Sequence, residues 1–218
     1  MIKQIKKILE KEIIYYVIIV LIALLLSSPL TVKGFFNSHD GIYHFSRNYA
    51  TNSAILAGQI PPLIVSNFCK GFGYGWSIFY PPLGTYLNGI FSIFFSYINA
   101  MKLCICFTII ASGITMFKLM KKITKNSDLS LITAIIYISS TYFLSNIYCR
   151  MAMGEVMSYM FFPVLFYGLY DIFYNEGKEN YYLAIRCTGN CVITQYKYIN
   201  GRSCIYYIYN IKYKKIIL

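Results

Sequence analysis

Charge is scarce in this chain, and negative charge is the scarcer sign. Of 218 residues 13% are charged against 57% hydrophobic, and eight Asp and Glu face 20 Lys and Arg, for a net charge of +12. Soluble domains carry about 25% charged residues, so the deficit excludes an ordinary water-soluble globule. A mean hydropathy of +0.53 and several aliphatic runs of membrane-crossing length predict an all-α, polytopic integral membrane protein. Metal and redox spacing is missing as well. The seven cysteines follow no ligand pattern; Cys104 and Cys106 lie in an apolar run and read as small packing residues. Cys69 and Cys149 are expected on the same outer side, but no spacing supports a disulfide between them. A cleavable signal is excluded too, because the first apolar run is too long and no small-residue cleavage site follows it. No basic face is interleaved with stacking aromatics, which argues against a nucleic-acid partner.

What is there is lysine beside apolar segments. Lys3, Lys6, Lys7 and Lys11 precede the first run, and Lys118, Lys121, Lys122 and Lys125 follow a later one. Such clusters follow the positive-inside rule and contact anionic headgroups of membrane lipid. The expected order is a cytoplasmic basic N-terminus (1–12), a first span (13–30) and an extracytoplasmic loop with juxtamembrane helices (31–98). A second span (99–120), a third (129–146), an outer turn (147–155) and a fourth (156–173) follow. The segment 83–97 admits two readings, a crossing or a helix lying along the outer surface. Two crossings between 83 and 118 would put the MKKITK cluster outside, so the charge bias favours the surface helix. A fifth span is expected to begin at Tyr181. The tail 181–218 is atypical: after Ile185 it holds six basic residues, no acidic one and six tyrosines. That is the composition of an AT-rich gene read out of frame, so a shifted or prematurely ended chain is expected there, with a genuine basic tail as the alternative.

The first loop is too long to be a mere connection, since connections are typically about 4–6 residues. Between Ser38 and Leu87 it holds the two histidines, the single tryptophan and four of the six prolines. Asp40 stands alone as an acid in these basic and aromatic surroundings. It is a candidate general base, or else the N-cap of a helix beginning near Ser38 or Asp40. His39, Asp40 and His44 form a candidate metal cluster, because Asp40 and His44 four apart share a helix face and both residue types ligate metals. The alternative is a pair of interfacial polar histidines. Arg47, Lys70 and Arg150 are candidate phosphate contacts, with an internal Arg150–Glu155 ion pair as the main competitor for Arg150. Gly71, Gly73 and Gly75 do not make a phosphate loop, since no Lys-Ser pair closes it and no strand precedes it. Phe72, Tyr74, Trp76, Phe79 and Tyr80 resemble an interfacial aromatic belt. Asp128 suits a helix start, and Asp171 and Glu176 read as ordinary flanking charges.

The motifs HDGIYH, AGQIPP, GFGYG, FYPPLGTYL, INAMK, IYCRMAMGE and FFPVLFYGLYDIF occur in this order. Over about 13–185 the chain resembles the N-terminal part of a family of large bacterial multi-spanning proteins. These are labelled membrane proteins related to 6-pyruvoyl-tetrahydropterin synthase, a label that implies no pterin chemistry. More distantly it is similar to GT-C glycosyltransferases, including YfhO-like proteins. The resemblance implies transfer of a sugar from a polyprenyl-phosphate carrier to a cell-envelope glycan or teichoic acid, on the outer face of the bacterial membrane. It implies catalytic carboxylates in the first and second outer loops, positions matched by Asp40 and Glu155. A divalent cation, Mg²⁺ or Mn²⁺, accompanies that chemistry in many GT-C enzymes. Family members continue for several hundred residues, so this chain is expected to be an inactive N-terminal fragment. Two rivals stand beside it: a transporter of lipid-linked precursors, which requires mid-span charges that the spans largely lack, and a non-catalytic scaffold.

Overall fold

A computed structural model describes residues 2–66, 68–80 and 82–174 of the chain. The expected fifth span and the atypical tail 181–218 lie outside the described residues. Among these residues there is no strand; the only β contact is a bridge between Val65 and Tyr74, whose backbone N–H groups each donate to the other's carbonyl at 3.1 Å. The helices are α1 (Ile2–Leu26), α2 (Gly41–Leu56), α3 (Trp76–Phe79), α4 (Leu83–Ser92), α5 (Tyr97–Thr124), α6 (Ser127–Ile138), α7 (Thr141–Ser145), α8 (Met153–Ser158) and α9 (Phe162–Tyr174).

Local chemistry explains the long hairpin at the centre. Ser96 caps α5 by accepting from the Asn99 N–H, and Lys121 and Lys122 in its last turn complement the helix dipole. Lys125 closes α5 in the left-handed region at φ 55°, and Asn126 at once caps α6 by accepting from the Asp128 and Leu129 N–H groups. A link this short forces α5 and α6 antiparallel. At 28 residues α5 is about 42 Å long, more than the ~30 Å of a bilayer core. It and the run Ser127–Arg150 are, among the described residues, the two helical segments long and apolar enough to cross a membrane. The ten residues of α4 reach only about 15 Å, half that thickness.

Two of the runs expected to cross are not continuous α-helix. The third is interrupted at Ser139 and Ser140, where Ser140 turns extended at ψ 137° and the helix restarts as α7; serine side chains compete for backbone groups and favour such ends. It then runs through a π-helical turn, Asn146–Arg150, and ends with Met151 left-handed at φ 57°. The fourth is split into α8 and α9 around Tyr159–Phe161, with Pro163 in the first turn of α9, where its missing N–H costs nothing. The first span also stops short of 30, because α1 gives way to a 3-10 turn over Ser28–Thr31 carrying Pro29 near its start.

Helix α5 sits at the middle, packed by α1, α4, α6 and α9. Met101, Cys104, Ile105 and Ile109 bury one of its faces against Ile138, Phe143, Ile147 and Met157. Close approach of α1 depends on Gly113, where a Cβ would come within 2.7 Å of Ile19 Cγ2. Phe117 is fully buried, stacked on Tyr15 at 5.8 Å and edge-on to Tyr16 at 5.2 Å.

Candidate functional site

The bundle has two polar ends. At one, Glu12 pairs with Lys121, the Tyr15 hydroxyl donates to Asp128 at 2.6 Å, and Lys122 pairs with Asp171 at 2.9 Å. The other gathers α2, α4 and the Asn146–Glu155 segment, and most of the predicted site residues belong to it.

The chain entering α2 is clamped to the π-helical turn. The His39 N–H donates to the Cys149 carbonyl and the Asp40 N–H to the Arg150 carbonyl, both at 3.0 Å. Two residues predicted for one site, 110 positions apart, are thereby held against each other. Asp40 occupies the N-cap of α2, but its carboxylate makes no capping bond and has no partner among the described residues. A Cβ at Gly41 would meet Ser38 Oγ, which would have to turn away to admit it.

Arg150 and Glu155 form a fork, Nη1 to Oε2 at 3.1 Å and Nη2 to Oε1 at 3.2 Å. Nη1 also donates to Asn146 Oδ1 at 2.9 Å, and the Tyr142 hydroxyl donates to Glu155 Oε2 at 2.9 Å. With the two side chains 44% and 31% exposed, solvent screens the pair, and such pairs contribute about 0–1 kcal/mol. Its value is geometric: it points one guanidinium face and commits one carboxylate.

Asp40 is exposed, whereas His44, one turn on, is only 3% exposed. Burial first, and then the Arg47 guanidinium, pull its imidazole down to about 3, so the ring is neutral at physiological pH. Its Nε2 accepts a long 3.4 Å bond from the Met153 N–H, which leaves the proton on Nδ1. The Tyr80 hydroxyl stands 3.4 Å from the same Nε2 and accepts from the Gly154 N–H at 2.8 Å. Burial raises the Tyr80 pKa; Asp40 and Glu155 add to that, while the Gly154 N–H and Arg47 oppose it. Tyr80 therefore stays protonated between the two carboxylates. Arg47 lies over its ring, Cζ 4.6 Å from the centroid.

These residues do not fit a divalent cation. Among the described residues no three His, Cys, Asp or Glu side chains converge. His39 and Asp40 face solvent while His44 turns inward with its Nε2 against a backbone donor, so the spacing that suggested a shared face does not produce a ligand set. Lys70 is not brought to the cluster either. It sits on an exposed turn with left-handed backbone at Cys69, Lys70 and Gly71, beside Phe72, which is 92% exposed. Cys69 and Cys149 are both free and exposed.

Two cavities flank the cluster. Phe35, Phe36, Asn37, Ser38, Gly41, Ile42, Phe45 and Ile98 line an apolar groove of about 300 Å³ on the side of Asp40. On the other, His44, Asn48, Tyr80, Thr85, Gly154 and Ser158 surround a space of about 10 Å³, the size of a single water. Asn48 is 3% exposed and its Nδ2 has no partner among the described residues.

Tyr80, Tyr142 and Asn146 escaped the sequence reading. Tyr80, part of the aromatic belt expected from the sequence, turns inward while Phe72 stays out. Asn146 was legible as the residue one helical turn before Arg150, but Tyr142 and Tyr80 gave no such signal.

Over 164 residues the chain is 28% identical to an uncharacterized protein of Lactococcus lactis subsp. cremoris (strain MG1363), a match taking 73% of this chain and 27% of that protein. No family model matches the chain, and no solved structure does. The chain thus spans about a quarter of the length of the relative it matches.

Proposed function

We propose that this chain is the N-terminal part of a glycosyltransferase-like protein of the bacterial cell membrane. It holds a polyprenyl-phosphate sugar for modification of a cell-envelope glycan or teichoic acid. One juxtaposition supports the reading: the unpaired Asp40 carboxylate, the Arg47 and Arg150 guanidiniums and the apolar groove at Phe35–Phe45 meet at one end of the bundle. An apolar groove suits a prenyl chain, a guanidinium fork suits a phosphate, and a solvent-facing carboxylate can take the proton of an acceptor hydroxyl. Glu155, matched by resemblance to a second catalytic carboxylate, is better cast as the group that orients Arg150. No step is routed through a metal.

Membrane embedding is supported by the outward face of α1, where Ile13, Ile14, Val17, Leu21, Leu24 and Leu25 are each about half exposed or more. An apolar stripe of that length facing water would aggregate. The lysine-rich end, with the N-terminus, is assigned to the cytoplasm and the Asp40 end to the outer side. The remaining length of the relative leaves room for helices that complete the carrier groove, so the isolated chain binds carrier without turning it over.

A photoreactive polyprenyl phosphate, added to the full chain in detergent, tests the reading. Labelling is expected to concentrate on 35–45 and to fall about tenfold in Arg150→Ala, the loss of a charge-assisted contact. Labelling spread evenly over the apolar helices, or unchanged in that variant, overturns it. A scaffold without chemistry is the second reading, favoured by the closed Tyr142–Glu155–Arg150–Asn146 network. It predicts that even distribution.

A further inference from the structure

We propose that the lysine-rich end carries a second site, a cleft that binds the phosphate headgroup and one acyl chain of an anionic phospholipid. The cleft encloses about 450 Å³ between α1, α5 and α9. Its walls change character with depth. Lys118, Lys121 and Lys122 stand along the rim on one face of α5, as residues three and four apart must, while Tyr16, Pro163 and Val164 line its apolar side. Lys118 lies six residues before the end of α5 at Thr124, about 9 Å along the axis. Tyr16 lies four residues beyond Glu12 on α1 and Val164 seven before Asp171 on α9, so the apolar wall stands farther from this end than the two ion pairs, in the order of an acyl chain and its headgroup.

Two of the three lysines are already committed. Lys121 pairs with Glu12, and Lys122 pairs with Asp171 at 2.9 Å and lies over the Tyr167 ring at 5.0 Å. Lys118 is exposed and has no partner among the described residues, leaving one positive charge in excess at the mouth. Glu12 and Asp171 hold Lys121 and Lys122 in place, and Lys118 is left for an anion. The carbonyl end of α5 opposes an anion through the helix dipole, and the lysines must outweigh it; one Lys near an anionic headgroup contributes about 1 kcal/mol. Free phosphate shares the headgroup chemistry, but it has no use for the apolar wall.

The inference rests on the proposed membrane embedding and orientation, and not on sugar transfer. Native mass spectrometry of the full chain in detergent reads it out, with phosphatidylglycerol, phosphatidylcholine of the same acyl chains, and inorganic phosphate as separate probes. Phosphatidylglycerol adducts are expected to exceed phosphatidylcholine adducts several-fold and to fall about fivefold in Lys118→Ala. Lys70→Ala, at the opposite end, leaves them unchanged. Equal retention of the two lipids, insensitivity to Lys118→Ala, or complete displacement by millimolar inorganic phosphate overturns the site. Recovery of the chain from cells without detergent would instead sink the membrane reading itself. Lys118 is exposed, so its replacement leaves the fold intact, and a circular-dichroism melt of the variant checks that.

Discussion

The two ends of the bundle spend their few charges differently. At the lysine-rich end three acids are tied to residues on other helices: Glu12 to Lys121, Asp128 to Tyr15, Asp171 to Lys122. These contacts staple α1, α5, α6 and α9 together. At the other end, among the described residues, the one ion pair is local, Arg150 to Glu155 five residues on, and Asp40 has no partner. A protein with so few acids holds its helices with those at one end and leaves one unsatisfied at the other. That asymmetry is what a site beside a stapled scaffold requires.

The largest test of the stapled end is Phe117→Ala. The ring is fully buried between Tyr15 and Tyr16, and its loss is expected to cost about 3–5 kcal/mol in a denaturant melt. A cost below about 1 kcal/mol would mean that α1 does not pack there. Second comes pH at the other end. The folded His44 pKa is depressed to about 3 from an unfolded value near 6.5, so the unfolded chain binds the extra proton. Its contribution to stability is present above pH 6.5 and is lost as pH falls toward 3, with a slope of up to ~1.4 kcal/mol per unit. His44→Asn should flatten that slope, read as melting temperature against pH; an unchanged slope would mean that another group governs acid sensitivity.

Lys122→Met, which removes the ammonium paired with the nearly buried Asp171 carboxylate, is expected to cost about 2 kcal/mol. Glu155→Gln at the opposite end should cost about 1 kcal/mol or less, because its pair is half exposed. Equal costs for the two would erase the contrast between the ends. Smallest of all is Asp40→Asn, expected to shift stability by no more than about 0.5 kcal/mol. A larger loss would show that Asp40 is a structural cap after all.

Parts of this were readable without coordinates. Asp40 does open a helix, Asp128 does sit in a first turn, and the Arg150–Glu155 pair named as the rival to a phosphate role is present. The breaks at Ser140 and Tyr159 were not readable. A run apolar on every side has no periodicity to lose, so a kink or a π-helical turn leaves no trace in its pattern. The same blindness hid His44 and Tyr80. Whether a polar ring faces water or a neighbour depends on what lies across from it, and here that is Met153 and Gly154, over 70 residues away.

The amino-acid order by itself determined the apolar helical character, the lysine bias between the two ends and the helix caps at Ser96 and Asn126, because these depend on composition and on neighbours within one turn. Only the tertiary structure decided which charges are stapled and which are left open. Hydrogen bonds from His39 and Asp40 to the carbonyls of Cys149 and Arg150 join segments 110 residues apart, and no local preference encodes a contact of that range.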